Sequence, residues 1–390
     1  MRTLLRGRWG TAAGFTLGAV LLLGVAPAIL PAFNLGLLGK FLCFAIVAVG
    51  IGLAWGRGGM LTLGQGVFFG LGAYIMAMHM KLADASLFGG SGVPDFMSLY
   101  GSGEVPGWWE PFRSPAVTLL AVVLVPGLVA LVLGLAIFKR RVKGAYFAIL
   151  SQALAAAFAV FLIGQQATTG GSNGLNGFRS FFGFDLKDSN NKLMLYMVAA
   201  VVLLLALALA RQLMHSRFGE LLVAVRDQEE RVRFLGYDPA TVKTVIYVVA
   251  AVLAGVAGAL FVPLVGIISP ADVGVIPSIA FLIGVAIGGR ATLLGPVLGA
   301  VCVAAAQSSL SSTFPSIWVY FQGLLFVLVI GFMPGGLASL PALVGRRRRI
   351  PPGAPTPPAP EPAVPTPAQD PAAPKPDVKT RATTPEEVSR

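Results

Sequence analysis

Long apolar runs, each close to the roughly 20 residues that carry a helix across a bilayer, alternate with short polar breaks along most of this chain. They fall at about 11–30, 38–55, 62–81, 116–138, 144–163, 193–210, 242–264, 276–288, 292–310 and 316–333. The pattern predicts an all-α polytopic membrane protein of about ten transmembrane helices. Residues 1–60 form N-terminal helices, 61–336 a core interrupted by a polar segment at 211–243, and 346–390 a polar tail. The first run follows Arg2, Arg6 and Arg8, as a secretory leader would, but it exceeds the 7–15 residues of a leader core and is expected to be a retained helix. The run at 276–288 is short, and reads either as a re-entrant half-helix or as a crossing.

Composition agrees: 56% of the 390 residues are hydrophobic and 12% charged, about half the charged share of soluble domains. The net charge of +12 does not point to nucleic acid, because the basic residues occupy short loops. With the N-terminus inside, Arg57, Lys139–Arg141 with Lys143, Arg211–Arg233, Arg290 and the arginines at 346–349 all fall on one side. By the positive-inside rule both termini are then cytoplasmic, which favours a true crossing at 276–288 over the half-helix. The tail holds 13 of the 28 prolines and is expected to be disordered. The arginines before it mark the cytoplasmic face, and contact with anionic lipid also fits them. Trp108 and Trp109 read as an interfacial anchor, and Cys43 and Cys302 as small packing residues.

Small residues recur four apart at Gly66/Gly70, Gly284/Gly288, Gly295/Gly299, Ala250/Ala254/Gly258 and Ala251/Gly255/Ala259, which predicts close helix contacts. The polar side chains of the runs are chiefly Gln65, Tyr74, His79, Ser151, Gln152 and Gln307, with Lys40 inside the second run. His79 is expected at the outer interface. No Asp or Glu sits mid-run, which argues against a proton relay.

The polar segment 216–239, SRFGELLVAVRDQEERVRFLGYDP, is the exception in this chain. Glu220, Arg226, Asp227, Glu229, Glu230, Arg231 and Arg233 crowd into it. Leu222, Val225, Val232 and Leu235 recur at helical spacing, with Glu229 as the polar exception, so 219–235 is expected to be an amphipathic helix capped by Gly236 and stopped by Pro239. Its mixed charge suits a protein groove better than anionic lipid. The chain has no phosphate-binding loop, no metal-ligand cluster and no nucleophile–base pair, so it is not expected to be an enzyme. Energy for active transport has to come from another subunit.

The segment resembles the coupling loop of ATP-binding-cassette (ABC) importer permeases of the LivM-type branched-chain amino acid and urea family. LTLGQGVFFGLGAY (61–74), RVKGAYFAILSQAL (141–154), TGGSNGLNGF (169–178), VAGALFVPLVGIISP (256–270) and VAIGGRATLLGPVLGA (285–300) resemble it as well. Within that family RDQEERVRFLGYDP (226–239) is similar to the UrtC-like urea branch in Arg226, Asp227, Glu229, Arg231, Phe234, Gly236 and Tyr237. Charged residues near Glu230 and Arg231 replace the family's alanines, and Gln65 stands where many members have His.

The resemblance implies a multi-pass protein of the bacterial plasma membrane with a second permease, two ATPase subunits that hold ATP and magnesium, and an outer solute-binding protein. No cofactor is bound by this chain itself. Helix 220–235 would sit in an ATPase groove. Gln65, Tyr74, Gln152, Ser172 and Asn173 would lie near the passage, Ser172 and Asn173 either as hydrogen-bonding groups for an amide or as a plain Gly/Asn turn. Urea is the expected cargo and branched-chain amino acids the alternative, since a zwitterion calls for charge partners that the runs lack. A stand-alone channel or ion-coupled transporter is the reading of a different class.

Overall fold

The computed structural model describes residues 14–88, 92–142, 144–313, 320–324, 327–328 and 336, all within one compact unit spanning 1–344. The expectations for Arg2, Arg6 and Arg8, for Lys143 and for the tail from 346 lie outside the described residues, as does most of 316–333.

The principal helices are α1 (Gly14–Ile29), α2 (Ala32–Arg57), α3 (Gln65–Phe88), α4 (Pro115–Phe138), α5 (Ala145–Gly164), α6 (Ser189–His215), α7 (Arg217–Phe234), α8 (Pro239–Val265), α9 (Val275–Gly288) and α10 (Gly295–Thr313). Seven helices among the described residues are long and apolar enough to cross a membrane: α2 to α6, α8, and the stretch Pro270–Gly288 that contains α9. Among the described residues, four two-residue strands pair as β1 (Leu175–Asn176) with β4 (Ile267–Ile268) and β2 (Ser180–Phe181) with β3 (Phe184–Asp185).

Helix α8 is the axis of the bundle. Small residues set its contacts: a Cβ on Gly258 would strike the Phe69 carbonyl, one on Gly72 the Gly255 carbonyl, and one on Gly50 the Ala250 backbone. Gly134 packs on Thr244, and Gly255 on Pro126. Backbones that approach this closely gain dispersion contacts which lipid cannot supply. Helices α2, α3 and α8 are accordingly mostly buried, whereas α4 and α5 bury little and turn Leu119, Leu120, Leu128, Ile149 and Phe161 outward as a lipid-facing flank would.

The chain from α8 to α10 explains the short run. Helix α8 has 27 residues, about 40 Å at 1.5 Å per residue, and starts beside α7. Its far end therefore lies remote from α7. Arg290 is back at the α7 end, its guanidinium 4.8 Å from the centroid of the Trp55 ring and its carbonyl against Gly56. Residues 266–288 thus traverse the bundle, although α9 has only 14 residues, about 21 Å. β4 and a 3-10 turn, Pro270–Asp272, cover the remainder. Helix α10 returns against α9, with Gly288 on Gly295 and Gly299 on Gly284.

The end remote from α7 departs from expectation. His79 is buried rather than interfacial, its Nδ1 2.7 Å from the Phe112 carbonyl and its ring 4.9 Å from Phe182. Trp109 is fully buried beside Phe96, while Trp108 alone is exposed. Both changes have one cause: the loops 92–114 and 171–188 fold over the helix ends and supply a protein environment where lipid headgroups were expected. Asp84 holds that cover, accepting from the backbone of Arg179 (2.8 Å) and Ser180 (3.0 Å) and from Ser180 Oγ (2.6 Å). Asp84→Ala leaves those donors unpaired, and limited proteolysis should cut the 171–188 loop several-fold faster. An unchanged cleavage rate would remove this role from Asp84. Cys43 is buried as expected, but Cys302 lies on an exposed face of α10.

Candidate functional site

Helix α7 runs along one end of the bundle. Ser216 caps its N-terminus, accepting from the Gly219 backbone at 3.3 Å. Its C-terminus closes through Gly236 at φ +88°, with Gly236 N–H bonded to Arg233 O and Tyr237 N–H to Val232 O. That pair of bonds is the Schellman arrangement, for which glycine is preferred because the left-handed conformation costs it little. Leu222, Val225 and Val232 face the core, whereas Leu235, read from its spacing as part of that face, is 76% exposed. Leu235 follows the last helical residue, Phe234, as the C-cap leading into the Gly236 turn, and so leaves the stripe; the helix also carries a break at Gln228 (φ −147°, ψ 73°).

Each half is fastened to a different core helix. Before the break, Arg226 donates to the Gly56 carbonyl at 2.8 Å and to Asp227 at 2.8 Å, and its stem lies over Gly59. Gly56 belongs to a π-helical last turn of α2, Gly52–Arg57, a feature that recurs at functional sites. The Arg226 guanidinium holds the Asp227 carboxyl below its usual range. After the break, Glu229 accepts from Lys243 of α8 at 2.7 Å and from Arg233 at 3.3 Å. Glu229, the polar exception on the apolar stripe, sits there because Lys243 meets it. Asp238 caps α8 through Ala240 N–H and Thr241 Oγ1, and the Thr241 bond keeps its carboxyl below the usual value. Glu220, Glu230 and Arg231 are exposed. Phe234, Leu235 and Tyr237 form an apolar tip, exposed by 90%, 76% and 55%.

The residues expected along a passage are not gathered into one site. Gln65 is buried at the start of α3, with Nε2 donating to Thr62 at 3.2 Å and Oε1 unpartnered. Around it, Ser151 Oγ accepts from Leu63 N–H and Ser278 Oγ from Gly66 N–H, each at 3.0 Å. Tyr74 is buried with its hydroxyl unpartnered. Gln152 is half-buried on α5. Ser172 and Asn173 are exposed on a 3-10 turn, Gly171–Asn173.

None of those five lines the cavity of about 310 Å³ bounded by α2, α3, α8, α9 and α10. Its aromatic wall is Phe44, Phe69, Phe261 and Phe281, with ring centroids 5.2–6.3 Å apart. Its polar groups are Lys40, Asp272, Gln307 and Gln322. Lys40 Nζ stands 5.8 Å from the centroid of Phe44 and 5.9 Å from that of Phe261, within cation–π range. A cation and an anion thus share one cavity although no apolar run contains both. Lys40, alone among apolar neighbours, was the available signal, because an ionisable group within a span marks a functional site by default. Asp272 carried none, lying in a connecting stretch whose return into the bundle only the fold shows.

The family model for the permease component of the branched-chain amino acid transport system matches residues 33–330. Two curated relatives, from Salmonella typhimurium (strain LT2) and Escherichia coli (strain K12), bear the name high-affinity branched-chain amino acid transport system permease protein LivM. Each is 25% identical to this chain over 319 residues, covering 76% of this chain and 68% of the relative. No solved structure gives a significant match.

Proposed function

The chain belongs to the family of branched-chain amino acid transport permeases, and from that premise we propose that it is one permease subunit of an ATP-driven importer in a bacterial plasma membrane. A second permease completes the path, one of two ATPase subunits docks on α7, and a solute-binding protein delivers cargo at the opposite end. The observation that carries this reading is the construction of α7: an exposed apolar tip on a charged helix whose two halves are fastened to α2 and α8. Arg57, Arg226 and Arg290 gather at that end, which supports a cytoplasmic position for it; ten crossings would then put both termini on the same side.

Exposed Phe234 and Leu235 contribute little to the bundle, so Phe234→Ser with Leu235→Ser should leave the permease folded while the ATPase subunits no longer co-purify and uptake falls at least ten-fold. ATPase retained at wild-type level by that variant would refute docking at this tip. Uptake by the chain reconstituted without any ATPase would instead establish a channel or ion-coupled transporter.

For cargo, the shared cavity of Lys40 and Asp272 supports a branched-chain amino acid, the charge partners expected to be missing being supplied from two elements. Urea has its own support in the unpartnered Gln65 Oε1, an acceptor suited to an amide N–H, and in the resemblance of 226–239 to the urea branch. Uptake of labelled leucine and of labelled urea, compared in a strain deleted for this importer and complemented with it, decides between them.

A further inference from the structure

We propose that the cavity between α2, α9 and α10 holds the transported amino acid in transit, with Lys40 taking its carboxylate, Asp272 its ammonium and the phenylalanine wall its aliphatic side chain. The assignment rests on the amino-acid reading of the cargo and adds the site, the residues and the orientation of the bound molecule.

Four features point to this occupant. The first is charge. Lys40 and Asp272 line one cavity, and among the described residues no carboxylate comes within ion-pair distance of Lys40. A lysine amid hydrocarbon is costly unless a counter-charge meets it, and a carboxylate on a transient ligand is such a counter-charge. Asp272 caps its own turn through one oxygen only: Ser269 N–H and Ser269 Oγ both bond Oδ2, at 3.0 and 2.7 Å. The second is apolar chemistry. Phe44, Phe69, Phe261 and Phe281 give an apolar surface on which a branched side chain is favourably removed from water. The third is size, since about 310 Å³ lies at the low end of small-molecule pockets and suits a single amino acid. The fourth is position. Helix α2 runs from its remote end to Gly56 beside α7, and Lys40 is nine residues into it, about 12 Å from that remote end. The cavity therefore lies nearer the end opposite the ATPase tip, where cargo is handed over. The broken traverse of 266–288 brings Asp272 inward to meet it.

The test uses the whole membrane complex, with partner permease and ATPase subunits, in lipid nanodiscs without solute-binding protein, and measures equilibrium binding of tritiated leucine. Wild type should bind saturably, and neither leucinamide, which lacks the carboxylate, nor 4-methylpentanoate, which lacks the ammonium, should compete. Lys40→Gln should weaken binding about ten-fold or more, the loss of a charge-assisted contact, while Lys40→Arg stays within about three-fold and both variants assemble at wild-type yield. Asp272→Asn keeps an acceptor for Ser269 and should weaken binding similarly. Wild-type affinity in Lys40→Gln, competition by leucinamide as strong as by leucine, or no saturable binding in wild type would each overturn the site. Leucine uptake by cells carrying the intact importer separates the two claims: uptake with unaltered binding in Lys40→Gln removes the cavity and leaves the amino-acid reading, whereas absence of leucine uptake removes both.

Discussion

Gly258→Val should leave almost no folded protein in the membrane. At this position a side chain runs into the carbonyl of Phe69, and on the facing helix Gly72 sits equally close to the carbonyl of Gly255. Overpacking costs about 1–3 kcal/mol when neighbouring side chains can shift. Here the obstacles are main-chain oxygens inside two long helices, which move only if the helices part. Parting α3 from α8 exposes the interior of the bundle, because α8 also carries the contacts to α2 and α4. Gly164→Ala is the control, since nothing lies within 4 Å of a Cβ placed there. Fluorescence-detected size exclusion and thermal unfolding in detergent should show loss of the monodisperse peak for Gly258→Val and a wild-type profile for Gly164→Ala. A wild-type melting profile for Gly258→Val would show that α3 and α8 do not meet this closely.

Glu229→Ala should reduce uptake at least ten-fold and destabilise the protein as well. The Glu229 carboxylate joins α7 to α8 through Lys243 and braces Arg233, and the Glu229 and Lys243 side chains are only 16% and 13% exposed. Removing one partner of a fully buried pair costs about 3–5 kcal/mol, and the residual exposure here brings the expectation to about 2–3 kcal/mol. Most of that is the penalty on the cations left behind. Lys243→Met added to Glu229→Ala should therefore recover part of the stability. It should not recover uptake, because the proposed link from α7 to α8 is still missing. Denaturant or thermal unfolding, with transport per ATP hydrolysed, separates the two effects. If the double variant transports like wild type, the ion pair is structural only and coupling runs elsewhere, with the Arg226–Gly56 contact as the remaining link.

Much of this molecule was legible before any coordinates. The apolar runs within the described residues became helices because one physical requirement acts locally: in hydrocarbon each backbone N–H and C=O must be satisfied within its own segment. The glycines and alanines four apart marked contacts correctly at Gly258, Gly288 and Gly299, since a face without side chains has no use except close approach. The charged segment showed itself as helix because polar residues interrupt a stripe that Leu222, Val225 and Val232 keep. What was misread shares a cause too. His79 and Trp109 read as residues of a lipid interface, but loops from other parts of the chain cover that interface. That cover does not depend on their neighbours in sequence.

The sequence by itself determined which segments are long and apolar enough to cross a membrane, the amphipathic segment at one end and, through residues 33–330, the permease family, because hydrophobic length, charge exclusion and helix period act along the chain. Only the tertiary structure decided what those segments do for one another. It placed Glu229 opposite Lys243, Arg226 on the π-turn of α2, and Lys40 in one cavity with Asp272. These pairs join positions far apart in the chain, and the compensation of a charge in a low-dielectric interior depends on the nearest group in space, wherever the chain brings it from.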